Sequence, residues 1–171
     1  LPEGCTPGLN CQFEPNFNVA TQGLRQPGSA LKPFVYLTAF EKGYTPETAV
    51  FDAPTEFAAN NPDCPLTPDF DSPNENKECF HPKNYDEKFR GPIDLRNALG
   101  QSINIPAVKV LYLAGLADAV KKANSFGLKT LTSPNLYGLS LVLGGGAVRL
   151  VDLVGAYSAL ANDGLKHEQT M

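Results

Sequence analysis

The chain has 171 residues, 42% of them hydrophobic, and a net charge of -4, enough apolar side chain for one packed domain. The acidic balance excludes a nucleic-acid grip, which needs clustered Lys and Arg against phosphates. No apolar run approaches the roughly 18 residues that would cross a bilayer.

The start at Leu1-Pro2-Glu3-Gly4, with neither an initiator Met nor a secretory leader, reads as a piece of a longer protein. Any leader or anchor is expected upstream. Residues 1–16 are rich in Pro, Gly and Cys without periodicity and read as a surface loop. Phe17-Asn18-Val19-Ala20 alternates, as the end of a strand does, and Arg25-Gln26-Pro27-Gly28 is a turn. From Ser29 to about Lys42 the pattern is helical and apolar nearly all round, the mark of a buried helix. Pro33 is tolerated only in a first turn, which puts the helix start near Ser29, and Gly43 ends it. Residues 17–43 therefore read as a strand end followed by a central helix.

Residues 44–91 hold much of the Pro and few apolar runs, and read as one long irregular loop. Residues 92–164 read as a helical subdomain. Asp94 suits the N-cap of a helix over Leu95–Gly100. Ile105-Pro106 opens a second helix that reaches Ala114 and stops at Gly115, and a third runs from about Ala117 to Phe126. The last, Val148 to about Asn162, repeats apolar residues at three and four positions, with Gly164 just beyond. Residues 165–171 are a tail. The expectation is a mostly helical protein with little strand.

The four cysteines bear on the compartment. Closing nearest neighbours, Cys5 with Cys11 and Cys64 with Cys79, costs the least chain entropy, although other pairings and free thiols stay open. A zinc site fits less well, because the intervals within each pair exceed those usual in structural zinc sites. Both loops have too little apolar content to hold themselves, so a crosslink is physically useful there. That favours an oxidising, extracytoplasmic setting.

Ser29-Ala30-Leu31-Lys32 places a hydroxyl and an amine on one face of the buried helix. Serine is a weak nucleophile and needs an adjacent base. Lys32 can serve only when neutral, so its pKa must fall by about three units, roughly 4 kcal/mol, through burial or a neighbouring cation. Ser-x-x-Lys alone carries little weight, and the plainer account is a capping Ser with a snorkelling Lys. Its position after Pro-Gly, at the start of an apolar helix, favours the chemical one. Ser102-Ile103-Asn104 is a second candidate, a hydroxyl and an amide held between helices. Ser72-Pro73-Asn74 and Ser133-Pro134-Asn135 share its pattern but lie in loop-like stretches, and a turn with local hydrogen bonds is the plain alternative for all three. Gly144-Gly145-Gly146 reads as a tight turn into the last helix, since no Gly-Lys-Ser/Thr follows to make a phosphate cradle. His81 and His167 are too few for a metal or a triad, and no cofactor or metal is called for. Tyr85 and Arg90 fit either a groove or loop packing.

Arg25 to Phe34, with Ser29 and Lys32 inside it, resembles the active-site segment of the bifunctional (class A) penicillin-binding proteins. Asn84-Tyr85-Asp86, Phe89-Arg90-Gly91-Pro92, Ser102 to Val108 and Ala161-Asn162-Asp163-Gly164 are similar to later segments of that family, in order, so the likeness runs from about Asn18 to Gly164. It implies the helical part of the α/β serine β-lactamase/transpeptidase fold, with the main sheet largely missing. It implies a peptidoglycan D,D-transpeptidase acting on stem peptides and acylated by β-lactams. In that scheme Ser29 is the nucleophile, Lys32 its base, Ser102 a proton relay and Asn104 a hold on the substrate backbone. A glycosyltransferase domain and an anchor in the cytoplasmic membrane, facing outward, are implied for the parent protein, whose protein partners the resemblance does not name. The rival readings are a penicillin-sensing or scaffolding use of the fold, and a β-lactamase or D,D-carboxypeptidase. One departure stands out: no Lys-Thr-Gly follows Ser102, and Lys129-Thr130-Leu131 is the nearest approach. In the family that strand lies past Met171, so the isolated chain is expected to be nearly inactive, with Lys32 hydrated and protonated.

Overall fold

Pro33 sets where the central helix begins. The computed structural model describes residues 17–69 and 76–167. A 3₁₀ turn at Gly28–Leu31 leads directly into α1, Lys32–Glu41, with Pro33 in the first turn, where its missing N–H costs nothing. Phe34, Val35, Tyr36, Thr38 and Ala39 are all buried, so α1 is enclosed on nearly every side, as its apolar circumference predicts. It packs against α3 (Asn104–Ala114) and α4 (Leu116–Ser125), with α2 (Leu95–Gly100) at its flank. Two ion pairs at 2.6 Å, Lys42–Asp118 and Lys122–Glu41, tie the far end of α1 to α4. The last helix, α5 (Leu150–Ala161), crosses the start of α1: the Tyr157 hydroxyl donates to Ala30 O at 3.0 Å, and its ring meets Phe34 edge-on.

Helix ends follow the sequence punctuation. Asp94 accepts from Asn97 N at 2.7 Å and caps α2, while the N–H groups of Leu95 and Arg96 reach the carbonyls of Thr48 and Pro46. Gly115, with φ +83°, ends α3 and starts α4.

Three expectations need correction. Phe17–Ala20 is not a strand end. Asn18 accepts from Ala20 N and Thr21 N through its amide oxygen, and such a side chain bends the backbone into a turn. The strand comes later: β1, Leu24–Arg25, pairs antiparallel with β4, Val148–Arg149. Val148 and Arg149 therefore belong to a strand ahead of α5 and not to the helix. The stretch 44–91 is also less irregular than it reads. It contains β2, Ala49–Asp52, which pairs antiparallel with β3, Gly91–Asp94. The inward residues of β2 are Val50 and Asp52; a buried carboxylate in place of an apolar residue hides the alternation that marks a strand.

The rest of that stretch is cross-tied. Cys64 and Cys79 form a disulfide, one of the two favoured pairings; Cys5 and Cys11 lie outside the described residues. The buried Glu56 carboxylate accepts from Ala58 N and Phe80 N at 2.8 Å and meets His81 Nδ1 at 2.6 Å. Burial pushes this carboxyl up, but those hydrogen bonds outweigh it and hold it below the usual range. A Glu56 carboxylate oxygen also lies within 4.8 Å of both sulfurs. In the disulfide these offer no thiolate to a metal.

The glycine run does more than turn the chain. Gly144 follows a 3₁₀ segment, Gly138–Leu143, and has φ +100°. A Cβ there would fall 2.5 Å from Gly28 N, so two glycine backbones touch directly beneath the Ser29 turn. Gly144→Ala is expected to cost about 3 kcal/mol, from backbone strain plus overpacking. Gly43→Ala shares the positive φ but faces open space, and should cost about 1 kcal/mol. Urea unfolding of both variants checks this, and equal losses would show that the close approach contributes nothing.

Candidate active site

Lys32 is the first residue of α1 and is 1% exposed. Its Nζ donates to Ser102 O at 2.6 Å, to Asn104 Oδ1 at 2.8 Å and to Ser102 Oγ at 3.2 Å, with Ile103 O at 3.4 Å. An ammonium has three protons, and three of these oxygens lie within 3.2 Å. The structure thus joins Lys32 to Ser102 and Asn104 across seventy residues of chain. Desolvation lowers the Lys32 pKa from 10.5 to about 8.

The expectation that Lys32 stands hydrated is overturned. The 102–104 turn alone covers it with oxygen acceptors, so its burial needs no further strand.

That turn is shaped for the purpose. Ser102 has φ +54°, a region unusual for any residue but glycine. The N–H groups of Ser102 and Ile103 close back on the carbonyls of Leu99 and Ala98 at 2.9 and 3.0 Å, which holds the kink and turns the Ser102 carbonyl toward Lys32. Asn104 opens α3. Its Nδ2 donates to Lys83 O at 2.9 Å, and among the described residues its second amide hydrogen is left for another acceptor.

Ser29 sits in the 3₁₀ turn one helical turn before Lys32, and it is exposed. Among the described residues its Oγ makes no hydrogen bond, so the Ser29–Lys32 bond that the sequence spacing suggests is not formed here. The two lie one turn apart in the chain, but Ser29 is exposed while the amine is buried and turned to Ser102 and Asn104.

Sequence reasoning missed Asn84 as a structural hub. Its buried amide oxygen accepts from Asn104 N and Ile105 N, both at 3.1 Å, and its Nδ2 donates to Asp52 Oδ1 and Lys88 O at 2.7 Å. The available signal was slight: Ile103, the residue before α3, has no side chain that can cap it. Arg90 resolves as loop packing: it pairs with Asp86 at 2.7 Å and donates from Nε to Gln101 Oε1 at 3.1 Å, beside Ser102. Tyr85 is fully exposed.

Among the described residues, neither Ser133-Pro134-Asn135 nor Lys129-Thr130-Leu131 bonds Lys32. Ser133-Pro134-Asn135 opens a short 3₁₀ turn, and Ser72-Pro73-Asn74 lies outside the described residues. Thr130 of Lys129-Thr130-Leu131 bonds Ala147 O at 2.8 Å in a turn and not on a strand.

Helices stacked around a buried Lys at the start of a central helix, with only two short strand pairs among the described residues, make up the helical part of the serine β-lactamase/transpeptidase fold. Solved structures agree. Penicillin-Binding Protein 1A from Haemophilus influenzae superposes with a TM-score of 0.67 at 31% identity, over 85% of this chain and 19% of that one. The PonA1 protein from Mycobacterium tuberculosis, solved in complex with penicillin V, superposes with a TM-score of 0.69 at 20% identity, over 91% and 39%. The pattern of the penicillin binding protein transpeptidase domain matches residues 7–169. Penicillin-binding protein 1A of Neisseria lactamica is 37% identical over 150 residues, and that of Pseudomonas aeruginosa 36% over 151. The chain belongs to the penicillin-binding protein transpeptidase family. It spans 17% and 16% of the length of those two relatives.

The buried lysine has a pH signature. Unfolded, Lys32 keeps its proton up to about pH 10.4; folded, it releases it near 8. Between those values the unfolded state binds more protons, so stability rises with pH, by about 3 kcal/mol in all. Burial raises the Tyr36 pKa, which acts in the opposite sense above about pH 10, where an unfolded tyrosine ionises. Denaturant titrations from about pH 7 to pH 10 should show the rise in the wild type and lose it in Lys32→Met. Parallel curves for the two would contradict the burial of an ammonium.

Proposed function

We propose that the chain is the Ser29 side of a serine-type D,D-transpeptidase in the bacterial cell envelope. The observation that carries this is the convergence of Lys32, Ser102 and Asn104 one helical turn from Ser29. In this reading Ser29 Oγ attacks the carbonyl of the penultimate D-Ala of a peptidoglycan stem peptide. The Oγ–C bond forms and the bond to the terminal D-Ala nitrogen breaks. The proton leaves Ser29 for Lys32 and reaches the departing amine through Ser102. An amine from a neighbouring strand then takes the acyl group and releases Ser29. β-Lactams enter at the same serine, with their strained amide as the bond that breaks.

The lowered Lys32 pKa supports its role as base, because a measurable fraction is neutral near physiological pH. The free amide hydrogen of Asn104 suits a substrate carbonyl. The Cys64–Cys79 disulfide fits an oxidising, extracytoplasmic face, with the parent anchored in the cytoplasmic membrane. Since Ser29 Oγ lacks its bond to Lys32 here, the 171-residue chain alone should react poorly.

Mass spectrometry of the full-length protein after penicillin treatment should find a persistent adduct on Ser29 that Ser29→Ala abolishes. Lys32→Ala should slow its formation by about 10³-fold. The isolated chain should label only feebly. Release of a crosslinked muropeptide would separate a synthase from a sensor, and rapid hydrolysis of the adduct would mean a β-lactamase. Absence of any adduct would refute the proposal.

A further inference from the structure

Asn84 and Asp52 form a buried polar pair that the chemistry above does not use. Asp52 is fully buried and Asn84 is 3% exposed, so each polar atom needs a partner. The Asn84 amide makes four bonds, two accepted and two donated, which is its full capacity. Both accepted bonds come from the first two residues of α3, whose N–H groups have no partner within a helix. The residue before α3, Ile103, has no side chain to cap them, and Asn84 supplies the cap from twenty residues upstream.

The position of that cap matters because of what α3 begins with. Asn104 carries the amide oxygen that accepts from Lys32, and Ser102, two residues earlier, supplies the carbonyl and hydroxyl that complete the cradle. Asn84 is held in turn from β2. Asp52 Oδ1 takes its Nδ2, and Asp52 Oδ2 takes Arg90 N at 3.0 Å. A chain of hydrogen bonds therefore runs from the β2–β3 strand pair to the lysine amine: Asp52, Asn84, the start of α3, Asn104, Lys32.

We infer that Asn84, locked by Asp52, is a positioning residue that sets the Ser102–Asn104 cradle against Lys32 and thereby tunes that lysine as a base. This rests on the proposed transpeptidase reading. Among the described residues Lys32 forms no ion pair, and its amine faces oxygens of Ser102, Ile103 and Asn104. Asp52 stands behind Asn84 with Arg90 beside it. Lys109 of α3 turns to Phe51 O, and other charges packed near α1 are engaged elsewhere: Lys42 with Asp118, Lys122 with Glu41, Arg96 with Glu47, Arg149 with Asp152.

The experiment uses the full-length protein and measures the second-order rate constant for acylation by benzylpenicillin between about pH 6 and pH 10. The variants are Asn84→Ala and Asp52→Asn. Displacing the cradle should slow acylation about a hundredfold in Asn84→Ala and about tenfold in Asp52→Asn. Water reaching Lys32 should also move the acid limb of the profile up by about one pH unit in both. A purely structural Asn84 would lower the rate and leave the limb where it was, and that result overturns the inference, as does an unchanged rate. Should Asn84→Ala fail to fold, Asp52→Asn, nearly identical in shape, carries the same readout. A wild type that forms no adduct refutes the transpeptidase reading itself, whereas a reactive wild type with unmoved limbs in the variants refutes only this step.

Discussion

A lysine amine with almost no contact with water, at the first residue of the central helix, constrains the rest of the molecule. Burying an ammonium costs several kcal/mol unless hydrogen bonds replace its water. α1 offers none, because its own carbonyls are used in the helix. The oxygens must come from elsewhere in the chain, and they come from one short turn between α2 and α3. The left-handed backbone of Ser102 follows from this demand: it is the conformation that brings carbonyl, hydroxyl and the Asn104 amide to one point. The apolar contacts of α1 with α3 and α4 supply the driving force for packing, and the Lys32 contacts fix its register.

A second polar layer stands behind the first. Asn84, Asp52, Arg90 and Asp86 run from the buried start of α3 out to the surface, with the guanidinium holding the Asp86 carboxyl below its ordinary range. Apolar replacements often give as stable a core, since buried charges seldom add net stability. What such a network supplies is a single geometry, because each amide and carboxylate is satisfied in only one arrangement. The cost of misplacing any member is a buried group without a partner. That explains why the stretch 44–91, poor in apolar residues, is nevertheless pinned in place: the β2–β3 pairing, the disulfide and the Glu56 bonds fasten it where hydrophobic burial cannot.

Local features were legible in the sequence and distant ones were not. Pro33, Asp94, Pro106, Gly43 and Gly115 each act within a few residues of themselves, and the helices they bound are found within three residues of where they read. Ser29 and Lys32 lie one turn apart at the start of α1, as their spacing requires, although no bond joins them among the described residues. The union of Lys32 with Ser102 and Asn104 came from resemblance; no periodicity points to it. β1 and β4 are two residues each, paired across most of the chain, and two residues are too few to show alternation. Asn84 reads as a loop asparagine because its partners lie at Asp52 and at the start of α3. The contact between Gly28 and Gly144 was hidden likewise: each glycine alone suggests only a turn. The hydration assigned to Lys32 erred for the same reason, since the atoms that cover it belong to a turn seventy residues away.

The pattern of bonds on Lys32 also bears on how such an amine can act as a base. Oxygen acceptors favour the charged form and burial opposes it, and the balance near pH 8 lies on the side of burial. When the proton is lost, two N–H groups and one lone pair remain. The two shorter bonds, to Ser102 O and Asn104 Oδ1, can both persist, because those oxygens only accept. The bond to Ser102 Oγ, at 3.2 Å the longest of the three, is the one that can reverse, since a hydroxyl donates as well as accepts. Losing a proton therefore leaves the amine anchored and turns one of its three sites into an acceptor facing a hydroxyl. Carbonyls at all three positions would hold the lysine equally well but offer no hydroxyl through which its proton could pass on. On the transpeptidase reading, the placement of a serine at 102 follows from that requirement.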